Sequence, residues 1–424
     1  MIASEFLPQA AIEDVEFDSL LQATMQFEEA ARALELEDWI VQRLRHPERE
    51  ATVNLVLVRD NGQAAGFTAF RVQHSTARGP TLGGIRLSPH AQLSDIRALA
   101  LQMTWQCALL DVPFGGASGA IVCEPGKLSE RELRRVSKDY VQALHSILGP
   151  NQDVLMEDLG SNPTVLSWML DAYARAAGHF EPGAVTGKPP VLFGLPDHAD
   201  ATARGVLELV LLALASQRHS LAGARVALQG FGQVGAAMAH LLDEAGVRFV
   251  AIADISGGLR RDDGIAVSKL LEWNTANRVL FGYPEAEAVP NADVLQAECD
   301  VLILAAAPRQ VTHQNAARIR TPLVIEVTPG GVTNEAATIL EEHGTTIVPS
   351  ILASAGATAA AYLEWSRNLG HEGFLLDGVE ENVRLYIETA YNTARQAAAQ
   401  DGLSLRRGAM LAAVEKVGAA LRLR

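Results

Sequence analysis

Lysine is scarce in this chain of 424 residues. It occurs only at Lys127, Lys138, Lys188, Lys269 and Lys416, so the first 126 residues contain none. Arginine supplies most of the positive charge, and a guanidinium does not readily exchange protons. Cysteine is scarcer still. Cys107, Cys123 and Cys299 show neither metal-ligand spacing nor a disulfide framework, so each is expected as a small core residue and no metal is expected. No uninterrupted apolar run reaches about 18 residues, which excludes a membrane-spanning helix. The opening stretch, MIASEFLPQAAIEDVEFD, is acidic and has no apolar signal core, so a secretory signal is not expected and a cytoplasmic location is. The formal net charge of -15 argues against nucleic acid or an anionic membrane as the main partner.

What is present describes a globular α/β chain. Hydrophobic residues make up 48% and charged residues 20%, enough for two or three domains with sizeable cores. One or two helices are expected between Phe17 and Leu44, with Leu34, Trp39 and Leu44 as core candidates. Thr52 to Val58 alternates as a strand, and Asp60-Asn61-Gly62 turns it into a second strand over Gly66 to Val72. Ser129 to Glu132 is a capping box opening a helix with Leu133, Val136, Tyr140, Leu144 and Ile147 on one face. Val154 to Met156 reads as a short strand that delivers Glu157 and Asp158 to its end, followed by a helix over Pro163 to Ala176. Thr186-Gly187-Lys188-Pro189-Pro190 has the composition of a linker.

Between these lies the stretch around which the first half is organised. Ile96, Leu99, Ala100, Met103, Cys107 and Leu110 recur at helical spacing, with Ser94 as N-cap and Pro113 as the stop. The run Pro113-Phe114-Gly115-Gly116-Ala117-Ser118-Gly119-Ala120 follows. So little side chain would let backbone amides approach a ligand, although such runs also occur as ordinary turns.

A second domain begins after the linker. Arg225 to Gln229 reads as a strand that enters Gly230-Phe231-Gly232-Gln233-Val234-Gly235, then an apolar helix, then a strand from Val247 ending at Asp254. A GxGxxG between strand and helix, with an acidic residue 19 positions after its last glycine, is a dinucleotide fingerprint. Gly230, Gly232 and Gly235 serve the turn and the approach of the pyrophosphate. The amides of Gln233 and Val234 open the helix, and Asp254 faces the ribose, favouring NAD over NADP. Further strands are expected at Val301 to Leu304, Leu323 to Glu326 and Thr346 to Val348, with helices from about Ser354 to the end.

The glycine run, Asp158, the fingerprint and Ala201-Thr202-Ala203-Arg204-Gly205-Val206 together resemble the glutamate dehydrogenase family of amino-acid dehydrogenases, from about Thr52 to Val417. The resemblance implies an N-terminal α/β substrate domain (1–190, completed by 355–424) and a Rossmann-like NAD(P)-binding domain (191–354). It also implies C-terminal helices returning to the first domain and a hexamer. Asp158 matches the catalytic aspartate and Thr202 the threonine near the nicotinamide.

The departures from the family cluster where its chemistry occurs. Ser118 stands at the position of the catalytic lysine. Gln106 replaces the lysine for the substrate α-carboxylate, and Leu82 the lysine for a side-chain carboxylate. Ala361 replaces the serine that assists it, and Pro329 and Ser354 replace asparagines. The leucine, phenylalanine and valine dehydrogenases also carry leucine at the position of Leu82, so Leu82 with Ala361 would suit an apolar side chain, unless both are plain core residues.

The leading expectation is a catalytically impaired paralogue that assembles as a homo- or hetero-hexamer. Its partner would be an active glutamate dehydrogenase chain, and an apolar amino acid such as leucine its effector. The alternatives are an active NAD-dependent dehydrogenase of altered substrate, or a simple dinucleotide-binding protein.

Overall fold

In the computed structural model the described residues are 18–196, 198–370 and 378–424. The opening stretch read for a targeting signal lies outside them, apart from its last residue. Two compact units emerge: residues 209–350 with the described residues up to Gln22, and residues 23–208 with 351–424. The division falls inside a helix, at 208/209, and not in the Thr186–Pro190 stretch.

The first part of the chain carries helices α1 (Ser19–Ala33) and α2 (Asp38–Arg45), then strands β1 (Arg49–Val58), β2 (Ala64–Ser75) and β3 (Thr81–Leu87). Helix α3 (Leu93–Leu109), β4 (Gly115–Ile121), α4 (Glu130–Leu144), β5 (Asp153–Glu157), α5 (Pro163–Ala177) and α6 (Ala201–Ser216) follow. The strands form one sheet in the order β1-β2-β4-β3-β5, antiparallel between β1, β2 and β4 and parallel between β4, β3 and β5. Leu55 and Leu57 of β1 point inward as the alternation requires, and the capping box of Ser129 and Glu132 opens α4. The α4 and α5 side of the sheet is packed by Ile85, Val136, Tyr140, Leu155, Val165 and Leu166, whereas Val72, Ile96, Ala100 and Ala120 fill the α3 side.

Some local expectations need correction. Trp39 is 51% exposed, and Ile40 beside it turns inward instead. Ser94 is not the cap of α3; Gln92 holds the N-cap position without a side-chain bond, one residue before the helix begins at Leu93. From Gly115 on, the glycine run is not a turn. It is β4, buried at all seven positions. Its glycines serve packing: a Cβ at Gly116 would lie 2.4 Å from the Ala100 carbonyl oxygen of α3, and one at Gly115 would lie 1.6 Å from that of Ser75. Thr186 and Lys188, read as linker, are buried.

The other unit is built on β6 (Arg225–Gln229), α7 (Gln233–Glu244), β7 (Arg248–Asp254), β8 (Gly257–Arg260), α8 (Val267–Asn277), β9 (Glu287–Val289) and α9 (Asn291–Val294). Strands β10 (Val301–Leu304) and β11 (Leu323–Glu326), α10 (Asn334–Glu342) and β12 (Thr346–Val348) complete it. The seven-stranded sheet runs β12-β11-β10-β6-β7-β8-β9. Its first five strands are parallel, a Rossmann-like arrangement, and β8 and β9 extend it antiparallel. Those two strands are only four and three residues long, too short for periodicity to reveal. Helices α11 (Ser350–Ala353), α12 (Ala355–Gly370), α13 (Val379–Asp401) and α14 (Leu405–Arg422) end the chain. The last three belong with the first sheet, and Thr358 of α12 meets Met103 of α3.

All three cysteines are free and buried, and burial pushes the Cys123 and Cys299 thiols up to about 11. Among the described residues no helix is long and apolar enough to cross a membrane, and no group of three or more His, Cys, Asp or Glu could hold a metal ion.

Candidate functional site

The candidate residues divide between the two units. Leu82, Gln106, Ser118, Asp158, Thr202 and Ala361 lie in the unit of the first sheet. Gly230, Gly232, Gln233, Val234, Gly235 and Asp254 lie in the other.

In the first unit, strand geometry decides which side chains share a face. Since Gly116 faces α3, so do Ser118 and Ala120, two and four residues on. Leu82 pairs with Gly116 and Arg86 with Ala120, so Leu82, Gly84 and Arg86 of β3 lie on the same face. Asp158 follows β5 directly and lies against this strand, since a Cβ at Gly84 would come within 2.6 Å of the Asp158 Cβ. The sequence brings Leu82, Ser118 and Asp158 together through three adjacent parallel strands.

Asp158 is firmly held. Its Oδ2 accepts from Arg86 Nε at 2.8 Å and its Oδ1 from the Leu159 amide at 2.7 Å. Its own amide donates to Ser161 Oγ. Burial works against the Arg86 charge, but the Asp158 carboxylate more than offsets it and raises the guanidinium pKa. Ser118 is 2% exposed, and its hydroxyl has no hydrogen-bond partner. No base therefore activates it. Gln106 is buried and donates through Nε2 to Ser354 Oγ at 2.9 Å, which joins two of the positions at which the resemblance implies another residue. Leu82 and Ala361 are fully buried. Thr202 sits in the first turn of α6, where Gly356 of α12 packs closely: a Cβ there would lie 2.0 Å from the Ala201 carbonyl oxygen.

Sequence reasoning missed Arg86, Arg71, Lys188 and Glu364. Arg71 is fully buried and donates to both oxygens of Asp153 and to the carbonyls of Gly83, Gly84 and Val154. Lys188 donates to Glu364 at 2.7 Å, and the same carboxylate accepts the Gly187 and Leu195 amides. The one available signal was the rarity of lysine, which made Lys188 conspicuous.

In the second unit, β6 leads into Gly230 at φ +105°, a conformation that favours glycine. A Cβ at Gly235 would strike the Gly230 carbonyl oxygen at 1.9 Å, whereas one at Gly232 would meet nothing within 4 Å. Gly232 caps α7 without a side-chain bond, leaving the amides of the first turn facing open space. Asp254 is already engaged: its carboxylate accepts from the amide and hydroxyl of Ser256 and from the Leu280 amide. Pro329 lies half-buried in the turn after β11.

Residues 194–424 match the family profile described as Glutamate/Leucine/Phenylalanine/Valine dehydrogenase, and residues 47–175 match that of the Glu/Leu/Phe/Val dehydrogenase dimerisation domain. The chain belongs to the Glu/Leu/Phe/Val dehydrogenase family. The catabolic NAD-specific glutamate dehydrogenase of Bacillus subtilis is 35% identical over 93% of each chain. NAD-specific glutamate dehydrogenase A of Halobacterium salinarum is 33% identical over 97% of this chain and 94% of its own. Among solved structures, the hetero-hexameric glutamate dehydrogenase of Thermus thermophilus in its Leu-bound form superposes with a TM-score of 0.92 at 34% identity, covering 97% of this chain and 98% of that one. The glutamate dehydrogenase of Peptoniphilus asaccharolyticus gives 0.83 at 28% identity, over 96% and 99%. The family's dehydrogenase scaffold is thus present over nearly the whole chain.

Proposed function

We propose that this chain is a catalytically impaired family member that acts as a regulatory subunit of a glutamate dehydrogenase hexamer, with an apolar amino acid as effector. The observation that carries this reading is Ser118, a buried hydroxyl without a hydrogen-bond partner at the position of the expected lysine. General acid–base catalysis needs a positioned group of suitable pKa and is worth roughly 10²–10⁴ in rate. A serine without a base does not supply it. Charge-assisted bonds to a substrate carboxylate contribute about 1.5–3 kcal/mol each, and neither Gln106 nor Leu82 carries a charge. Leu82 and Ala361 are apolar and fully buried, and neither could pair with a side-chain carboxylate. Assembly with an active chain is supported by the likeness to the hetero-hexameric Thermus enzyme.

The second unit fits a nicotinamide dinucleotide, because the open space at Gly232 and the uncapped amides of α7 suit a pyrophosphate. Gly230, Gly232, Gln233, Val234 and Gly235 would hold it, and Asp254 would face the ribose. When bound, the nicotinamide supplies hydride acceptance and donation. NAD is favoured over NADP because a further phosphate would meet the Asp254 carboxylate.

A second reading, an active amino-acid dehydrogenase with an apolar substrate, is favoured by the retained and well-held Asp158. One experiment separates the two. The purified folded chain is assayed alone with NADH or NADPH, ammonia and a panel of 2-oxo acids, then mixed with an active glutamate dehydrogenase chain with and without leucine. No turnover alone, together with co-purification and a leucine-dependent change in the partner's kinetics, is the expected result. Turnover alone, abolished by Asp158→Asn, establishes the dehydrogenase reading. Failure to co-purify, with the partner's kinetics unchanged, rejects the regulatory one.

A further inference from the structure

The nucleotide motif follows the end of β6. The opposite end of the same sheet carries a second gathering of charge. Gly223 precedes β6, and Arg248 begins β7, which runs parallel to β6. The chain returns to this end after β8, where the Ile265 amide donates to the Phe249 carbonyl. A cavity of about 440 Å³ opens there, and Arg248, Arg261, Lys269, Asp243, Asp263 and Glu285 line it. Its volume falls within the roughly 300–1,000 Å³ of small-molecule sites.

Hydrogen-bond donors are in surplus around this cavity. Gly264 stands at φ +104°, and a Cβ there would lie 2.8 Å from the Arg248 Cγ. Glycine is what lets the arginine stem lie against this loop. Among the described residues, no hydrogen bond or ion pair engages the Arg248 guanidinium. Arg261 commits only Nη1, to the Glu285 carbonyl oxygen at 3.0 Å. Lys269 commits one of its three donors, to the Glu285 carboxylate at 2.7 Å. Helix α8 begins beside them, with Ile265, Ala266 and Lys269 on the lining. Ala266 at the N-cap makes no side-chain bond, the first turn holds no acid, and the first helical bond comes from the Leu270 amide. The amides of Val267, Ser268 and Lys269 are left without a helical acceptor, at the positive end of the dipole. Tyr283 adds an independent sign of a missing polar atom. It is 6% exposed, its hydroxyl has no hydrogen-bond partner, and its electrostatic neighbours are Glu285, Lys269 and Arg261 of the lining.

We propose that this cavity binds a phosphate monoester of a small polyol, with Arg248, Lys269 and the first amides of α8 donating to the phosphate and Asp243 and Asp263 accepting from the hydroxyls. The acids of the lining set the limit on charge. They accept hydroxyl hydrogens, and they repel the further negative charge of a polyphosphate. The site lies at the strand starts, away from the nucleotide motif, and stands independently of the function proposed above.

The test is calorimetry on the full chain in phosphate-free, low-salt buffer, with ribose 5-phosphate, inorganic phosphate, tripolyphosphate and ribose as probes, each with and without saturating NADH. Ribose 5-phosphate is expected to bind equally in both conditions, at least tenfold more tightly than inorganic phosphate or tripolyphosphate, and ribose is expected not to bind. Arg248→Gln should weaken ribose 5-phosphate at least tenfold and leave the melting temperature unchanged, because the guanidinium has no partner to lose. Arg248→Lys should recover part of that loss. Asp243→Asn should weaken ribose 5-phosphate and not inorganic phosphate. Unchanged affinity in Arg248→Gln would overturn the proposal, as would binding of none of the phosphate probes. Displacement of ribose 5-phosphate by NADH would place the phosphate at the nucleotide motif and overturn it equally. Tighter binding of tripolyphosphate than of ribose 5-phosphate would overturn the assignment to a single phosphate.

Discussion

Gln106 Nε2 donates to Ser354 Oγ at 2.9 Å, 248 residues away in sequence. The family resemblance implies a lysine at one of these positions and an asparagine at the other, and the structure pairs the two residues that stand there. Under the proposed function, this neutral pair is what remains where a substrate carboxylate would otherwise be held.

Restoring one lysine is expected to be insufficient. Ser118→Lys alone should leave glutamate turnover at background, because the carboxylate partners are still missing. The triple substitution Leu82→Lys, Gln106→Lys, Ser118→Lys should raise NAD-linked glutamate deamination by about 10²-fold or more over the unaltered chain. A steady-state assay on variants of confirmed assembly checks this, and full activity in the single variant would contradict it.

The last two glycines of the nucleotide motif should separate binding from folding. Gly232→Ala places a methyl in open space and should leave the melting temperature unchanged while lowering NADH affinity at least tenfold. Gly235→Ala drives a methyl into the Gly230 carbonyl and should destabilise by about 1–3 kcal/mol. Thermal melts and fluorescence titration with NADH read the two effects on the same samples.

Lys188 and Glu364 form a fully buried pair. Removing one partner, as in Lys188→Met, is expected to destabilise by about 3–5 kcal/mol, because the buried Glu364 carboxylate loses its lysine and keeps only His198 and two backbone amides beside it. Adding Glu364→Gln to Lys188→Met should recover part of the loss, since the amide oxygen still accepts from the Gly187 and Leu195 N–H groups. Urea unfolding of the single and double variants measures the coupling.

His74 should make stability fall in mild acid. Its ring lies between the Thr104 hydroxyl and the Leu44 carbonyl, and burial lowers its pKa to about 4. The unfolded chain therefore binds a proton near pH 6.5 that the folded chain refuses until about 4. The contribution of the neutral ring is full above pH 6.5 and is lost as pH falls from there towards 4. Between pH 7 and pH 5 the loss is about 2 kcal/mol. His74→Gln should flatten that part of the stability curve, which denaturant titrations at stepped pH would show.

Much was legible in the chain because it is local. The alternation of Val53, Leu55 and Leu57, the capping box at Ser129 and Glu132, and the strand–GxGxxG–helix grammar each concern neighbours within a turn or a strand. Backbone sterics and burial fix such features wherever they occur. The same logic failed at Lys188, whose flanking glycine and prolines signal a turn but say nothing of a carboxylate 176 residues later. It was silent at Gly115 and Gly116 too, where glycine admits a neighbouring strand and a helix.

Sequence alone determined the α/β class, most strands and helices, and which positions carry no lysine, because composition and periodicity are properties of the chain itself. Only the tertiary structure decided that Arg86 stands against Asp158, that Ser118 is left without a partner, and that Gln106 meets Ser354. Those relations depend on strand order and on a helix arriving from the far end of the chain. A charge or a hydroxyl acquires its chemistry from whatever the fold places within hydrogen-bond reach, and no local pattern encodes that distance.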